Sequence, residues 1–239
     1  MLSDFGYEVG RWDISRFKER DPQDTFTALG LEWSLLPDVW PGSAVATGLF
    51  TSWLPFEEAD TFLEVGCGSG VTAITAAMHG CSRVCALDIS PAAVENSRLN
   101  AVRHGVSERI TVLNSDLFSE LDPSDTFDLI YWNSPFVEAP TSHRYESQLD
   151  YAVFDSDYAM HRKFFADASR HMTEGARVFL GFSDTMGNSA RMGELAERAG
   201  FTGSAYRREV LNLPIDVPGV PVPGGTMDVD YVLYEFQRA

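Results

Sequence analysis

Three glycines at alternate positions, Gly66, Gly68 and Gly70 in the stretch FLEVGCGSG, join an apolar run to a small-residue helix. So thin a backbone lets a ligand approach the main chain and exposes the N–H groups at the start of the helix. Two carboxylates frame the turn: Glu64 lies two residues before the first glycine, and Asp88 closes the next apolar run. A dinucleotide site wants G-x-G-x-x-G with a pyrophosphate at the helix terminus. Here the third glycine comes one residue early and position 71 is Val. Glu64 would repel a phosphate and suits a ligand with a positive amino-acid group, whereas Asp88 suits any ribose. Further on stand NSDLF (114–118), which contains Asp116, and NSPF (133–136).

An α/β alternation must position these residues. Strands are expected at 61–66, 83–88, 109–114, 127–132 and 176–182, and two final strands at 201–213 and 227–237. Helices are expected at 70–80, 90–105, 156–175 and 187–200, with a short helical turn at 116–121. Ser90 and Pro91 supply an N-cap and first-turn proline, and Gly105 a stop. The Pro/Gly-rich connector at 214–225 cannot belong to a central strand. Near-continuous apolar strands separated by helices predict a mainly parallel sheet covered on both faces. In such sheets ligands bind at the strand C-termini, where all four motifs fall.

Residues 1–55 read as irregular and aromatic-rich, punctuated by Pro22, Pro37, Pro41 and Pro55, with a helix over about 43–54. They are expected as an N-terminal extension or lid within the same domain as a core at 56–239. Trp12, Phe17, Trp33 and Trp40 are expected to cover an apolar helix face. Residues 137–154 read as a long polar and aromatic loop.

The 239 residues suffice for one sizeable α/β domain. With 18 basic and 35 acidic residues the formal charge is −17, which disfavours nucleic-acid partners. No apolar run approaches the ~18 residues of a membrane span, and no secretion signal is evident. Cys67, Cys81 and Cys85 read as reduced thiols, so a cytoplasmic location is expected. No metal is expected, because His79, Cys81 and Cys85 lack paired spacing and a fourth ligand.

The ordered series E-x-G-x-G-x-G, Asp88, NSDLF and FDLIYWNSPF resembles the class I S-adenosylmethionine-dependent methyltransferases, and within them the HemK/PrmC-like, small-domain branch. The resemblance covers roughly residues 40–200 and implies a Rossmann-like seven-stranded α/β fold. It implies that Glu64 and the Gly66–Gly70 backbone, Cys67 included, hold the methionine moiety of S-adenosylmethionine. Asp88 would accept the ribose hydroxyls, Ile89 would lie against adenine, and Asp116 would bind its amino group beside Leu117. S-adenosylhomocysteine would be the product. NSPF stands where the family carries N-P-P-Y/F. There the Asn133 side-chain oxygen, at the border of donor and acceptor, and the Ser134 carbonyl would orient a planar N–H2 group, with Phe136 stacked on it. Ser134 departs from the family's proline, and Pro135 biases it toward an extended backbone. Residues 151–165 resemble the segment that follows this motif in release-factor glutamine methyltransferases, with Ser156 and Asp157 where a glycine and an acid are expected.

These readings lead to an enzyme that methylates a nitrogen or oxygen of a small molecule. A helical domain that grips a protein substrate and a basic surface are both missing from the pattern. For a hydroxyl or carboxylic acid acceptor, His143 is the general-base candidate and Arg144 an anion anchor. The alternatives are N-methylation of a protein glutamine, methylation of a nucleic-acid base, and S-adenosylmethionine binding without turnover. A homodimer is left open.

Overall fold

A computed structural model describes residues 2–19, 24–42, 44–214, 217–218 and 223–239 of the chain. The N-terminal part is not irregular. It forms helix α1 (Leu2–Glu19), a hairpin of β1 (Thr25–Ala28) and β2 (Leu31–Ser34), and helix α2 (Ala44–Trp53). Helix α1 was hidden by Gly6 and Gly10, which lower helix propensity but permit close packing. A side-chain carbon at Gly6 would lie 2.1 Å from the Met186 carbonyl oxygen, and one at Gly10 would lie 2.6 Å from Val153. Trp33 is fully buried and donates its ring N–H to the Ala28 carbonyl at 2.9 Å. The hairpin is tied down by two buried asparagines. Asn96 and Asn100 each donate to the Ser34 carbonyl and accept from the main-chain N–H groups of Leu36 and Ser34, respectively.

The α/β alternation follows: β3 (Thr61–Val65), α3 (Val71–Met78), β4 (Arg83–Asp88), α4 (Pro91–Arg103), β5 (Ile110–Asn114) and β6 (Phe127–Asn133). Ser90 caps α4 by accepting the Ala93 N–H, with Pro91 in the first turn. After β6 come β7 (Val137–Ala139), β8 (Phe154–Ser156), α5 (Ala159–Ala168), β9 (Met172–Ser183), α6 (Ser189–Arg198), β10 (Phe201–Pro214) and β11 (Thr226–Arg238). The expected loop at 137–154 thus contains β7, which pairs in parallel with β8. The expected helix at 156–175 stops early, because Met172 pairs with Phe127 and opens β9. Residues 116–121 form turns instead of a helix. Of the 214–225 connector, residues 215–216 and 219–222 lie outside the described residues, as does Ser43 at the expected start of α2.

The seven-stranded sheet has the order β10-β11-β9-β6-β3-β4-β5. Its five central and edge strands from β9 to β5 are parallel; β11 and β10 are antiparallel additions. Alternation along β3 sends Phe62 to one face and Leu63 and Val65 to the other. Phe62 joins Ile74, Ala77, Trp33 and Phe50 in one core layer. Leu63 joins Trp132, Phe164, Phe165 and Phe182 in the second. Among the described residues no helix is long and apolar enough to cross a membrane. The chain steps outward from β3 to β5, then returns to β6 on the other side of β3. That reversal opens a crevice at the C-terminal ends of β3 and β6.

Candidate active site

A cavity of about 270 Å³ occupies this crevice, and the register of the sheet explains what lines it. Val65 on β3 pairs with Trp132 on β6, so the next residues, Gly66 opening the loop and Asn133 at the last position of β6, lie side by side at the end of the sheet. All three glycines take left-handed backbone, with φ of 66°, 54° and 85° at Gly66, Gly68 and Gly70. A side chain at Gly70 would meet Ser97 Oγ at 2.9 Å, and one at Gly66 would crowd the Trp132 indole N–H at 3.3 Å. The glycines therefore serve both the turn and the close approach of neighbours.

The two framing carboxyl groups shape the loop. Asp88 accepts the Gly68 N–H on one oxygen and the Ser90 N–H on the other, each at 2.8 Å. Glu64 Oε2 accepts the Ala73 N–H at 2.8 Å and so caps the first turn of α3. Burial pushes the Glu64 carboxyl up to about 8, against the bonds from Ala73 and Thr72, and the nearby Asp88 adds to the rise. Burial likewise raises Asp88. The Cys67 thiol is buried 3.2 Å from Ser97 Oγ and pushed well up, mainly by burial, which leaves it inert. Cys67 contributes through its N–H, bonded to the Leu87 carbonyl at 2.9 Å.

At the far end Asp116, Leu117 and Ile89 line the same cavity. Leu117 takes a φ of 52°. Asp116 is exposed and ion-paired with Lys163 at 2.7 Å. Asn114 ties the end of β5 to the carbonyls of Asp88 and Ile89, both at 2.9 Å. Lys163 and Ser97 are supports that sequence reading missed, since only their partners carry a motif; Asn114 stands in NSDLF, but its ties to Asp88 and Ile89 were not foreseen.

Asn133, Ser134, Pro135 and Phe136 also line the cavity. The Ser134 hydroxyl is buried and donates to the Gly181 carbonyl at 3.2 Å, which ties the turn to β9. The Asn133 side chain makes no hydrogen bond among the described residues. Phe136 meets Phe50, Phe182 and Tyr231 edge-on at centroid distances of 6.4, 5.9 and 6.5 Å.

His143 is not brought to this cavity, which corrects its expected role as a general base. Its Nδ1 lies 3.0 Å from the Tyr7 hydroxyl, and its ring packs on Phe154 and Tyr145. Burial lowers its pKa. Arg144 is exposed and, among the described residues, bonds only to the His143 carbonyl. Gly6, Val9, Gly10 and Asp13 of α1 wall the cavity instead, together with Trp40, Tyr151 and Met186. Helix α1 escaped notice because its contacts are to residues far along the chain.

Five carboxylates line the cavity, Asp13, Asp38, Glu64, Asp88 and Asp116, and no Lys, Arg or His does so among the described residues. Such a lining favours a cationic ligand and opposes a pyrophosphate.

A sequence model of the family described as ribosomal protein L11 methyltransferase (PrmA) matches residues 51–133. The ribosomal protein L11 methyltransferase of Anoxybacillus flavithermus is 35% identical over 96 residues, covering 37% of this chain and 31% of the relative. The release factor glutamine methyltransferase of Rhodopirellula baltica is 38% identical over 91 residues, covering 35% of this chain and 31% of the relative. The matched segments span only about a third of these relatives' length. Among solved structures, the ribosomal protein L11 methylase of Lactobacillus delbrueckii subsp. bulgaricus superposes with a TM-score of 0.56 at 18% identity, covering 85% of this chain and 83% of that one. A methyltransferase from Pyrococcus furiosus gives 0.59 at 17% identity, covering 88% and 91%.

These likenesses and the sheet order define the class: the chain has the fold of the class I S-adenosylmethionine-dependent methyltransferases. Within that class, the segment that carries the glycine loop, Asp88, Asp116 and Asn133 is similar to the ribosomal protein L11 methyltransferases and to a release factor glutamine methyltransferase. The expected small-molecule acceptor is corrected here, because the named relatives act on proteins.

Proposed function

We propose that this protein transfers the methyl group of S-adenosylmethionine to a nitrogen of a protein side chain, with the planar amide of glutamine as the acceptor that the NSPF turn suits. One observation carries the reading: Gly66, just past the end of β3, and Asn133, the last residue of β6, follow the paired Val65 and Trp132, so the glycine loop and the NSPF turn line a single cavity. The donor side fits the cofactor. The glycine loop borders the cavity, and the ionisable side chains of the lining are all acidic, which suits a sulfonium cation. Glu64 and the glycine loop would hold the methionine part, Asp88 the ribose, and Ile89, Asp116 and Leu117 the adenine. When bound, S-adenosylmethionine supplies a methyl group on a positively charged sulfur that is a good leaving group.

The protein's own part is then positioning. The unbonded Asn133 side chain offers an oxygen to an N–H2 group, and Phe136 offers a ring face to a planar amide. The Ser134 hydroxyl, committed to Gly181, does not compete for that group. The names of the matched relatives support a protein acceptor, and the −17 charge weighs against nucleic acid.

The test is incubation with methyl-tritiated S-adenosylmethionine and, separately, purified release factor and ribosomal protein L11, with mass spectrometry of the labelled protein. Label on a side-chain nitrogen is expected, at glutamine for the release factor. Label on an oxygen, or on small molecules alone, would overturn the reading.

A further inference from the structure

The buried Tyr158 is not among the residues that line the cavity, yet its hydroxyl is bonded on both sides. It accepts the Asn188 N–H at 2.9 Å, and it donates to the Phe136 carbonyl at 2.7 Å. Because a main-chain N–H can only donate, the hydroxyl proton is committed to Phe136. The same carbonyl oxygen lies against Gly187, where a side-chain carbon would approach it to 2.3 Å. The last carbonyl of the NSPF turn is therefore enclosed between Tyr158 and the chain entering α6.

The backbone is strained to achieve this. Asp157 and Tyr158 are consecutive left-handed residues, with φ of 54° and 47°, and neither is glycine. Such conformations are costly and persist only where the surroundings enforce them. Here the surroundings are specific. The Asp157 N–H donates to the Ala139 carbonyl at 2.9 Å, and its carboxylate is ion-paired with Arg162 and Arg191. Asp155, fully buried, accepts the N–H groups of Met160 and His161 and so fixes the start of α5 from the other side. Arg191 also grips Glu138 at 3.0 Å, which joins α6 to β7 directly after the turn. A buried tyrosine generally needs partners for its hydroxyl; what sets Tyr158 apart is that its proton goes to a carbonyl of the turn that lines the cavity.

We propose that Tyr158 is a positioning residue for the acceptor: its hydroxyl holds the Phe136 carbonyl, and thereby sets where the Phe136 ring and the Asn133 amide stand in the cavity. This rests on the methyl-transfer reading above. Tyr158 does not touch the reacting atoms; it acts through Phe136.

The experiment compares wild type with Tyr158→Phe, which keeps the ring and removes the hydroxyl, in methyl transfer to the protein that wild type labels. Expected is a fall in kcat of about 10- to 100-fold, with the Kd for S-adenosylmethionine unchanged within about twofold and Tm lowered by less than about 5 °C. Asn188→Ala is the control. It keeps the main-chain N–H on Tyr158 but removes the Asn188 cap on Arg191 and the bond to Glu138. Its kcat is expected within about threefold of wild type, well short of the change that misplaced reacting groups produce. Equal kcat in wild type and Tyr158→Phe would overturn the inference alone. So would a parallel loss in both variants, or a Tm fall of more than about 10 °C in Tyr158→Phe, since each marks a purely structural role. A wild type that methylates no protein would overturn the methyl-transfer reading, and this inference with it.

Discussion

The Glu64 carboxylate accepts the Ala73 N–H at 2.8 Å, so the acid that opens the glycine loop also caps the helix that follows it. The bond crosses nine residues and sets the path of the loop between them. Burial nevertheless dominates this group and raises its pKa from the usual 4.5 to about 8. Folding therefore favours its protonated form.

A signed pH dependence follows for the unliganded protein. Because the folded state holds the Glu64 proton more tightly, its stabilising contribution is full below about 4.5 and is lost as pH rises through about 8. Asp88, also raised by burial, acts with the same sign. His104 and His143, both lowered by burial, act oppositely below about 6.5. Between about 6.5 and 8 the Glu64 contribution stands clear, and Tm is expected to fall with rising pH in thermal melts without ligand. Glu64→Gln should flatten that slope. A wild-type slope equal to that of the variant would show that the carboxyl titrates normally.

Gly6 sets two effects against each other. In an isolated helix Gly6→Ala would gain about 1 kcal/mol in propensity. On α1 the added carbon would meet the Met186 carbonyl oxygen at 2.1 Å, and backbone yields less readily than a side chain. Overpacking of this kind costs about 1–3 kcal/mol, so the clash is expected to win. Tm should fall, and limited proteolysis should cut faster within residues 2–19. A raised Tm would mean that α1 does not dock as described.

The parts of the site that were legible in the sequence are those fixed by local chemistry. Strands β3, β4 and β6 are buried on both faces and read as apolar runs, and Ser90 with Pro91 marks the start of α4. The glycine loop and Asp88 are visible because only a particular residue type serves at each place. What escaped depends on distant contacts. Gly6 and Gly10 look like helix breakers until Met186 and Val153 are known to press on them. Met172 to Gly175 reads as the end of a helix, yet Met172 is claimed by Phe127 across the sheet. Tyr158 sits in a turn that resembles a glycine-containing one, and nothing local announces that its hydroxyl reaches back to Phe136.

His143 shows the same limit in a residue chosen for its chemistry. Its partner Tyr7 lies 136 residues away, and that contact turns a candidate base into an anchor between α1 and the segment after β7. His143→Gln keeps a polar group within reach of Tyr7. Its expected cost is about 1 kcal/mol in stability, with no change in the shape of the pH–rate profile between about 6 and 8. Loss of a limb of that profile would restore His143 to the chemistry.

Asn133 offers the sharpest test of the proposed division of the cavity into donor and acceptor halves. Its backbone continues β6 opposite Gly181, so its position is set by the sheet and not by its side chain. Removing that side chain should leave the fold and the glycine loop undisturbed. Asn133→Ala is therefore expected to bind S-adenosylmethionine within about threefold of wild type while kcat falls by about 100-fold or more, the signature of an interaction that acts on the reacting geometry. Calorimetric titration with the donor and single-turnover methylation of the protein acceptor measure the two halves separately. A comparable loss in both would place Asn133 in donor binding. Unchanged turnover would remove the turn from the chemistry, because no other described side chain on β6 or the NSPF turn offers an amide oxygen to the cavity.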